Sequence, residues 1–319
     1  MLITIGAFDG FHRGHEELLD ICRRNAEGND WGVVSFYPHP YEFMHKTNHS
    51  VFTLSERELI RNIIGIPNMY VLRFDDALRN LHPEEFWKLL RERFNVDGLV
   101  MGSDFHFGLN RSGNAKSLAE LARHDGINRI IIADLLNKGR YSSSNVRNEI
   151  LAGNVKSACE ILGYPFFMMS NIIHGNQRGR KMNFPTANLN LSEHHIIPES
   201  GVYASIVLVE HEYHCGALSI GTNPTFKDVN ELRAEVHILD FHGDVYDSVL
   251  PVFFLNRIRD VIAFNDKTEL MTQIENDIHV CRRIYEEVMR REDMKKFFEI
   301  AKRVYYSKKN FVPEIIQLT

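Results

Sequence analysis

"ITIGAFDGFHRGHEEL", residues 3–18, passes from an apolar run into a helical pattern, with glycines and two histidines at the junction. Gly6 ends the run. Gly10 permits a tight turn and Gly14 lets the backbone approach a ligand closely. A strand, a glycine-rich turn and a helix entry, in that order, set free backbone N–H groups and the positive end of a helix dipole beside whatever the turn binds. His12 and His15 direct two more donors to the same place, which suits a triphosphate and would stabilise charge developing at phosphorus. A metal site is the competing idea, but the two histidines have no third ligand nearby in sequence. Two surface histidines in a glycine-rich turn would need no ligand at all.

Apolar runs like the first recur at 32–36, 69–74, 98–102 and 129–134, separated by helical patterns at 16–27, 55–64, 83–94 and 115–125. Nearly continuous apolar strands alternating with helices predict a Rossmann-like α/β domain, a parallel sheet covered on both faces. Such sheets bind ligands outside the carboxyl ends of their strands. Three further segments fall at those ends or at the next helix entry: "SFYPHPYEF" (35–43) with His39, "MGSDFHFGLNRSG" (101–113) with Asp104, Phe105 and Phe107, and "YSSSNVRNEI" (141–150) with three hydroxyls and Arg147. All should converge on one crevice with His12 and His15.

The rhythm changes after residue 150. Residues 146–163 have helical spacing broken at Gly153 and closed at Gly163. Alternating strands at 201–209, 213–221, 233–241 and 245–255 then predict an antiparallel sheet or small barrel. Helical spacing from about 266 to 305 carries Leu270, Ile274, Ile278, Cys281, Ile284 and Val288 on one face. Ahead of the strands, "IIHGNQRGRKMNFPTANLNL" (172–191) is glycine-rich and basic. Gly175 and Gly179 free it to fold over a ligand, Arg178, Arg180 and Lys181 add positive charge, and Pro185 stiffens the turn that follows. Thr186 and Asn188 offer neutral oxygens of the kind that hold a partly hydrated Mg²⁺ together with substrate phosphates. Strand alternation puts Arg233, Glu235 and His237 on the face opposite Ala234, Val236 and Ile238. A carboxylate across a barrel mouth can take a proton from an attacking hydroxyl. An ordinary basic surface loop and a solvated strand glutamate are the plain alternatives.

Length and composition bound the partners. A chain of 319 residues fits about two domains. With 25% charged residues and a formal net charge of −5 it has the composition of a globular protein, without the basic excess of a nucleic-acid binder. Its four cysteines are scattered, with neither CxxC nor zinc spacing, and are expected as buried thiols of a reducing compartment. The chain opens directly on "MLITIG", leaving no room for a leader, and no run reaches the ~18 apolar residues of a membrane span. A cytoplasmic location without membrane partner is expected; oligomeric state is left open.

Taken in order, Gly-x-Phe-Asp-Gly-x-His-x-Gly-His, Phe-x-Pro-His-Pro, Gly-x-Asp-Phe-x-Phe-Gly and Ser-Ser-x-x-x-Arg resemble the adenylyltransferase half of the prokaryotic bifunctional riboflavin kinase/FAD synthetase family. Its superfamily signature, His-x-Gly-His, stands here as "HRGH". The resemblance implies that His12 and His15, in the turn shaped by Gly10 and Gly14, contact the ATP phosphates. It further implies that Ser143, Ser144 and Arg147 help bind the nucleotide and the leaving pyrophosphate, and that the Asp104–Phe105 loop lies near the flavin.

In the second half "HGNQRGRKMNFPTANL", "GVYAS", "SIGTNPTF", "AEVHILDFHGDVY" and "RDVIAF" resemble the riboflavin kinase domain. This implies an ATP-covering loop from Gly175 through Gly179 to Arg180, Mg²⁺ on Thr186 and Asn188 beside Pro185, Glu235 as base toward the riboflavin 5′-hydroxyl, and Arg259 among the cofactor-binding groups. The implied division is an adenylyltransferase domain at 1–152, a kinase domain at 163–287 built as a six-stranded antiparallel barrel with a C-terminal helix, and a helical extension at 288–319. ATP, riboflavin and FMN are the implied substrates. Three positions depart from the family pattern: Asn183 and Asp247 stand for glycines and Val261 for a glutamate. They raise the alternatives of one weakened half, the kinase first, or a flavin-binding regulator without turnover. A nucleotidyltransferase for another acceptor would leave the kinase motifs unexplained.

Overall fold

The computed structural model describes all residues except 29, 48–49, 135–138, 175–183, 192–195, 223–231, 265, 309–310, 312 and 318–319. The chain divides into two compact units, Met1–Ser143 with Asn310–Thr319, and Ser144–Lys309.

The first unit is built on a parallel sheet. β1 (Leu2–Ile5), β2 (Trp31–Tyr37), β3 (Asn68–Arg73) and β4 (Gly98–Gly102) form its centre. A short hairpin, β5 (His106–Phe107) and β6 (Gly113–Asn114), follows β4, and β7 (Arg129–Ala133) is the next sheet strand. Every residue of β1 and β4 is buried, which is why they read as unbroken apolar runs. Between strands run α1 (Arg13–Asn25), α2 (Pro40–His45), α3 (Leu54–Ile63), α4 (Asp76–Arg79), α5 (Pro83–Phe94) and α6 (Ala115–His124). α3 begins one residue before the 55–64 pattern, with Thr53 and Glu56 forming a reciprocal capping box. The strand direction of progress reverses at β1, whose neighbours are β2 and β4. The carboxyl ends of β1 and β4 therefore flank the switch point where a ligand is expected.

The division falls at the first residue of α7 (Ser143–Leu151), so the second unit opens with the rest of α7 and with α8 (Val155–Leu162), split at Gly153. Six strands then close an antiparallel barrel: β8 (Phe167–Ile173), β9 (Ala187–Leu189), β10 (Gly201–Val209), β11 (Glu212–Gly221), β12 (Arg233–Ile238) and β13 (Val249–Arg259), in the order β10-β11-β12-β9-β8-β13. The α/β unit followed by a closed six-stranded barrel and a C-terminal helix is the fold class expected from the sequence.

Three details differ from expectation. The strand expected at 245–255 runs instead from Val249 to Arg259. Residues 245–248 form a turn, closed by Ser248 Oγ and N donating to Val245 O and by Asp247 at φ 57°. The long C-terminal helix is two, α9 (Lys267–Arg290) and α10 (Glu292–Ser307), because Arg291 takes an extended ψ of 125°. The expected helical extension ends as a strand, β14 (Ile315–Ile316), which pairs in parallel with β3 and adds a sixth strand to the first unit's sheet.

Candidate active sites

In the first unit, the turn after β1 coils through three left-handed residues, Phe8 (φ 44°), Gly10 (φ 89°) and Phe11 (φ 42°), before His12 caps α1. Both phenylalanines are buried and stack on each other. They anchor the turn from below. His12 and His15 lie ring against ring, centroids 3.8 Å apart. Gly14 has to be glycine here, since a Cβ would come within 2.4 Å of Tyr141 O and 3.0 Å of the His12 ring.

Ser143 Oγ donates to Asp9 O at 3.1 Å and lies 3.2 Å from His12 Nε2. With the hydroxyl proton committed to Asp9, the serine oxygen accepts from His12 Nε2–H. That tautomer leaves His12 Nδ1 as a buried lone pair with no partner among the described residues, and the same holds for the buried His15 Nδ1. Burial lowers the His12 pKa to about 4. His15 is held well below its usual value, first by burial and then by its neighbour His12. Two neutral imidazoles with unmet hydrogen-bonding capacity, beside a helix N-terminus, have the chemistry to receive an anion, which would raise both pKa values.

Among the remaining expected residues, Arg147 is buried on α7 and Ser144 is exposed at its start. Asp104 is exposed beyond β4, its carbonyl oxygen 2.7 Å from His106 Nδ1. Phe105 stacks on Phe107 and packs at the edge of the core. His39 caps α2, its Nδ1 accepting from Tyr41 N–H.

In the barrel, β9 and β12 run antiparallel with Asn188 opposite Glu235. Thr186 Oγ1 donates to Glu235 Oε2 at 3.0 Å. Hydroxyl and carboxylate oxygens thus meet at one end of the strand pair, with Asn188 directly across from Glu235. Pro185, exposed, lies with its carbonyl oxygen 2.7 Å from His237 Nδ1, the next outward residue of β12. Pro185 and Thr186 border a shallow cleft of about 60 Å³, closed opposite by Phe241 and Asp244–Tyr246. An all-oxygen donor set of two neutral groups beside a carboxylate fits a Mg²⁺ that keeps several waters and shares substrate phosphates. Among the described residues, no group of three or more His, Cys, Asp and Glu could hold an ion by itself.

Arg259 is engaged elsewhere. Its guanidinium grips Asp277 of α9 through Nε at 2.9 and 3.0 Å and Nη2 at 2.6 Å, with Gln273 Nε2 on the same carboxylate. Gly175, Gly179, Arg180 and the departure at Asn183 lie outside the described residues. The departure at Asp247 occupies a left-handed backbone, the conformation for which glycine is best suited, and so preserves the turn. Val261 packs near Gly221, whose added Cβ would meet Val261 Cγ2 at 2.9 Å.

Sequence spacing did not single out Ser35 or Arg57, and gave Asp9 no part beyond its motif. All three are buried polar groups. Their partners lie 21 to 134 residues away, beyond the range of any local pattern.

Comparison with known proteins agrees on both units. Residues 1–146 match the FAD synthetase family and residues 162–285 the riboflavin kinase family. The bifunctional riboflavin kinase/FMN adenylyltransferase of Listeria monocytogenes is 34% identical over 283 residues, 86% of this chain and 90% of its own. That of Escherichia coli is 32% identical over 291 residues, 89% of this chain and 92% of its own. A crystal structure described as a macrolide-efflux protein from Streptococcus pneumoniae superposes with a TM-score of 0.78 at 32% identity, covering 88% of this chain and 93% of that one.

Proposed function

The chain belongs to the bifunctional riboflavin kinase/FMN adenylyltransferase family, and from that premise we propose which residues carry each of its two reactions. It phosphorylates riboflavin with ATP to give FMN, and transfers the adenylyl group of a second ATP to FMN, releasing pyrophosphate and forming FAD. The kinase family match falls on the barrel and the FAD synthetase match on the parallel sheet.

In the barrel, Glu235 takes the proton of the riboflavin 5′-hydroxyl as it attacks the γ-phosphorus of ATP. The hydrogen bond from Thr186 fixes which carboxylate oxygen faces the substrate. Thr186 and Asn188 would hold the Mg²⁺, which when bound neutralises phosphate charge. Gly175, Gly179 and Arg180 belong to the loop assigned to ATP. In the first unit, the His12–His15 turn receives the ATP phosphates while a phosphate oxygen of FMN attacks the α-phosphorus. Gly10 and Gly14 shape that turn. His12, protonated as the anion arrives, donates from Nδ1, and Ser143 keeps its ring in place. Arg147 and Ser144 attend the leaving pyrophosphate, and the Asp104–Phe105 loop attends the flavin. Neither reaction needs a covalent enzyme intermediate; both rest on positioning and charge neutralisation.

Domains at 1–152 and 163–287 are part of this proposal, as is a cytoplasmic location. Among the described residues no helix is long and apolar enough to cross a membrane.

The observation that carries the residue assignment is that each unit holds its own preassembled cluster, His12–His15–Ser143 in one and Thr186–Asn188–Glu235 in the other. Purified protein given riboflavin, ATP and Mg²⁺ should form FMN and then FAD. Glu235→Gln should lower FMN formation by about 10²–10⁴-fold while supplied FMN is still converted to FAD. His15→Ala should do the reverse. Loss of both activities in either folded variant would refute the two-site assignment.

A further inference from the structure

Beneath the His12 turn lies a buried polar network centred on Arg57. Arg57 of α3 is 3% exposed. Its Nη1 donates to Ala7 O and to Ser35 Oγ, both at 3.1 Å, and its Nη2 donates to Phe36 O at 3.2 Å. Ser35 is fully buried and donates in turn to Ala7 O at 2.8 Å. One guanidinium therefore ties the turn after β1 to the carboxyl-terminal part of β2.

Carboxylates complete the network. Asp9 accepts Val51 N–H on both oxygens, at 2.9 and 3.0 Å. Glu42 accepts Ser50 N–H at 2.7 Å and His39 N–H at 3.2 Å. Burial pushes the Arg57 pKa down, and Asp9 and Glu42 act against that push. A buried cation of this kind is costly unless its surroundings are built to receive it.

What it holds is a strained turn. Phe8 and Phe11 occupy left-handed backbone, which L side chains keep only where neighbours enforce it. The enforcing contacts are visible: Arg57 and Ser35 on Ala7 O, Val51 N–H on the Asp9 carboxylate, and Ser143 on Asp9 O. His12 follows directly from this clamped segment.

We propose that Arg57 is a positioning residue for adenylyl transfer, fixing the 7–12 turn against the carboxyl-terminal part of β2 so that His12 and His15 meet the phosphates in the reactive geometry. This rests on the assignment of the His12–His15 turn to the ATP phosphates. Arg57 itself touches no substrate. Its planar fork serves three acceptors, one in the turn after β1 and two on β2, which the point charge of a lysine does not.

The test uses the full chain and reads FMN-to-FAD conversion as kcat and KM separately, with riboflavin phosphorylation from the same preparation as the control. Misplacing a reacting group by about 1 Å costs on the order of 10²-fold in rate. Arg57→Lys should lower the adenylyl-transfer kcat by about 10–100-fold, with a much smaller change in the KM for ATP and unaltered riboflavin phosphorylation. Ser35→Ala should lower the same kcat by a smaller factor. Trp31 and Trp87, the chain's two tryptophans, both lie in the first unit and report whether it is folded. Arg57→Met is expected to behave as Arg57→Lys or worse; should it fail to fold, the lysine and Ser35→Ala variants decide. Wild-type kcat in folded Arg57→Lys and Ser35→Ala overturns the proposal, as does a loss confined to thermal stability. His12→Ala separates the two claims. If it abolishes FAD formation while Arg57→Lys does not, positioning alone fails; if it too is harmless, the phosphate assignment fails with it.

Discussion

At the scale of single residues, the buried His12 is the most informative group in the first unit. Its pKa falls from the 6.5 of a free imidazole to about 4 because burial disfavours the charged ring. The folded state therefore binds fewer protons than the unfolded one between these values, and stability must drop as pH falls through that window. The effect is absent above pH 6.5 and complete below about 4. Urea unfolding followed by tryptophan fluorescence should show the first unit losing stability from about pH 6.5 downward, and His12→Gln should flatten that slope. An identical slope in the variant would mean that other groups dominate. ATP should oppose the loss, since an anion against the ring favours its protonated form. The sequence exposed both histidines through their motif. It could not show that they stack, that Ser143 selects the tautomer, or that Asp9 and Arg57 clamp the turn, because these contacts join residues far apart in the chain.

At the scale of elements, strands buried on both faces were legible almost to the residue. β4 and β10 fall at 98–102 and 201–209, as their unbroken runs suggest. β8 and β9 were not anticipated: "FMMSNII" has no clear alternation, and β9 is a three-residue strand defined by its neighbours rather than by its own composition. β13 was displaced by four residues at its start because aromatic and β-branched residues in "VYDS" belong to a turn. Its far end explains Arg259. The nearly buried Asp277 lies at 2.6 Å from that guanidinium and docks α9 against the barrel strand. Removing one partner of such a pair typically costs about 3–5 kcal/mol, less here because Arg259 is one-fifth exposed. Asp277→Ala should therefore destabilise the barrel unit by about 2–3 kcal/mol in thermal melts, and Asp277→Asn by less. If Arg259 instead serves mainly to bind nucleotide, Asp277→Ala should raise the KM for ATP in riboflavin phosphorylation with little change in melting temperature.

At the scale of the whole molecule, the chain enters the first unit twice. After α10 it contributes β14, Ile315 and Ile316 pairing in parallel with Val71 and Leu72 at the outer edge of β3. An uncovered edge strand presents a row of unpaired backbone groups to solvent and to other chains. Two residues of pairing are short, but side chains add to them: Ile316 packs at the margin of the sheet's core and Phe311 is buried. The helical spacing that ends near 305 gave no hint of this, since a two-residue strand has no period. The family matches end at residue 285, so the tail lies beyond them. Truncation after Ser307 removes the pairing and both apolar side chains, and should cost the first unit about 2–4 kcal/mol in urea unfolding read by Trp31 and Trp87. Amide exchange should rise across β3 and stay unchanged in β1 and β4, which are paired on both sides. Riboflavin phosphorylation should persist, because the barrel strands and α9 are intact in the truncated chain. Unchanged exchange at Val71 and Leu72 would show that β14 adds nothing to the edge it covers, and that the sheet is complete with five strands.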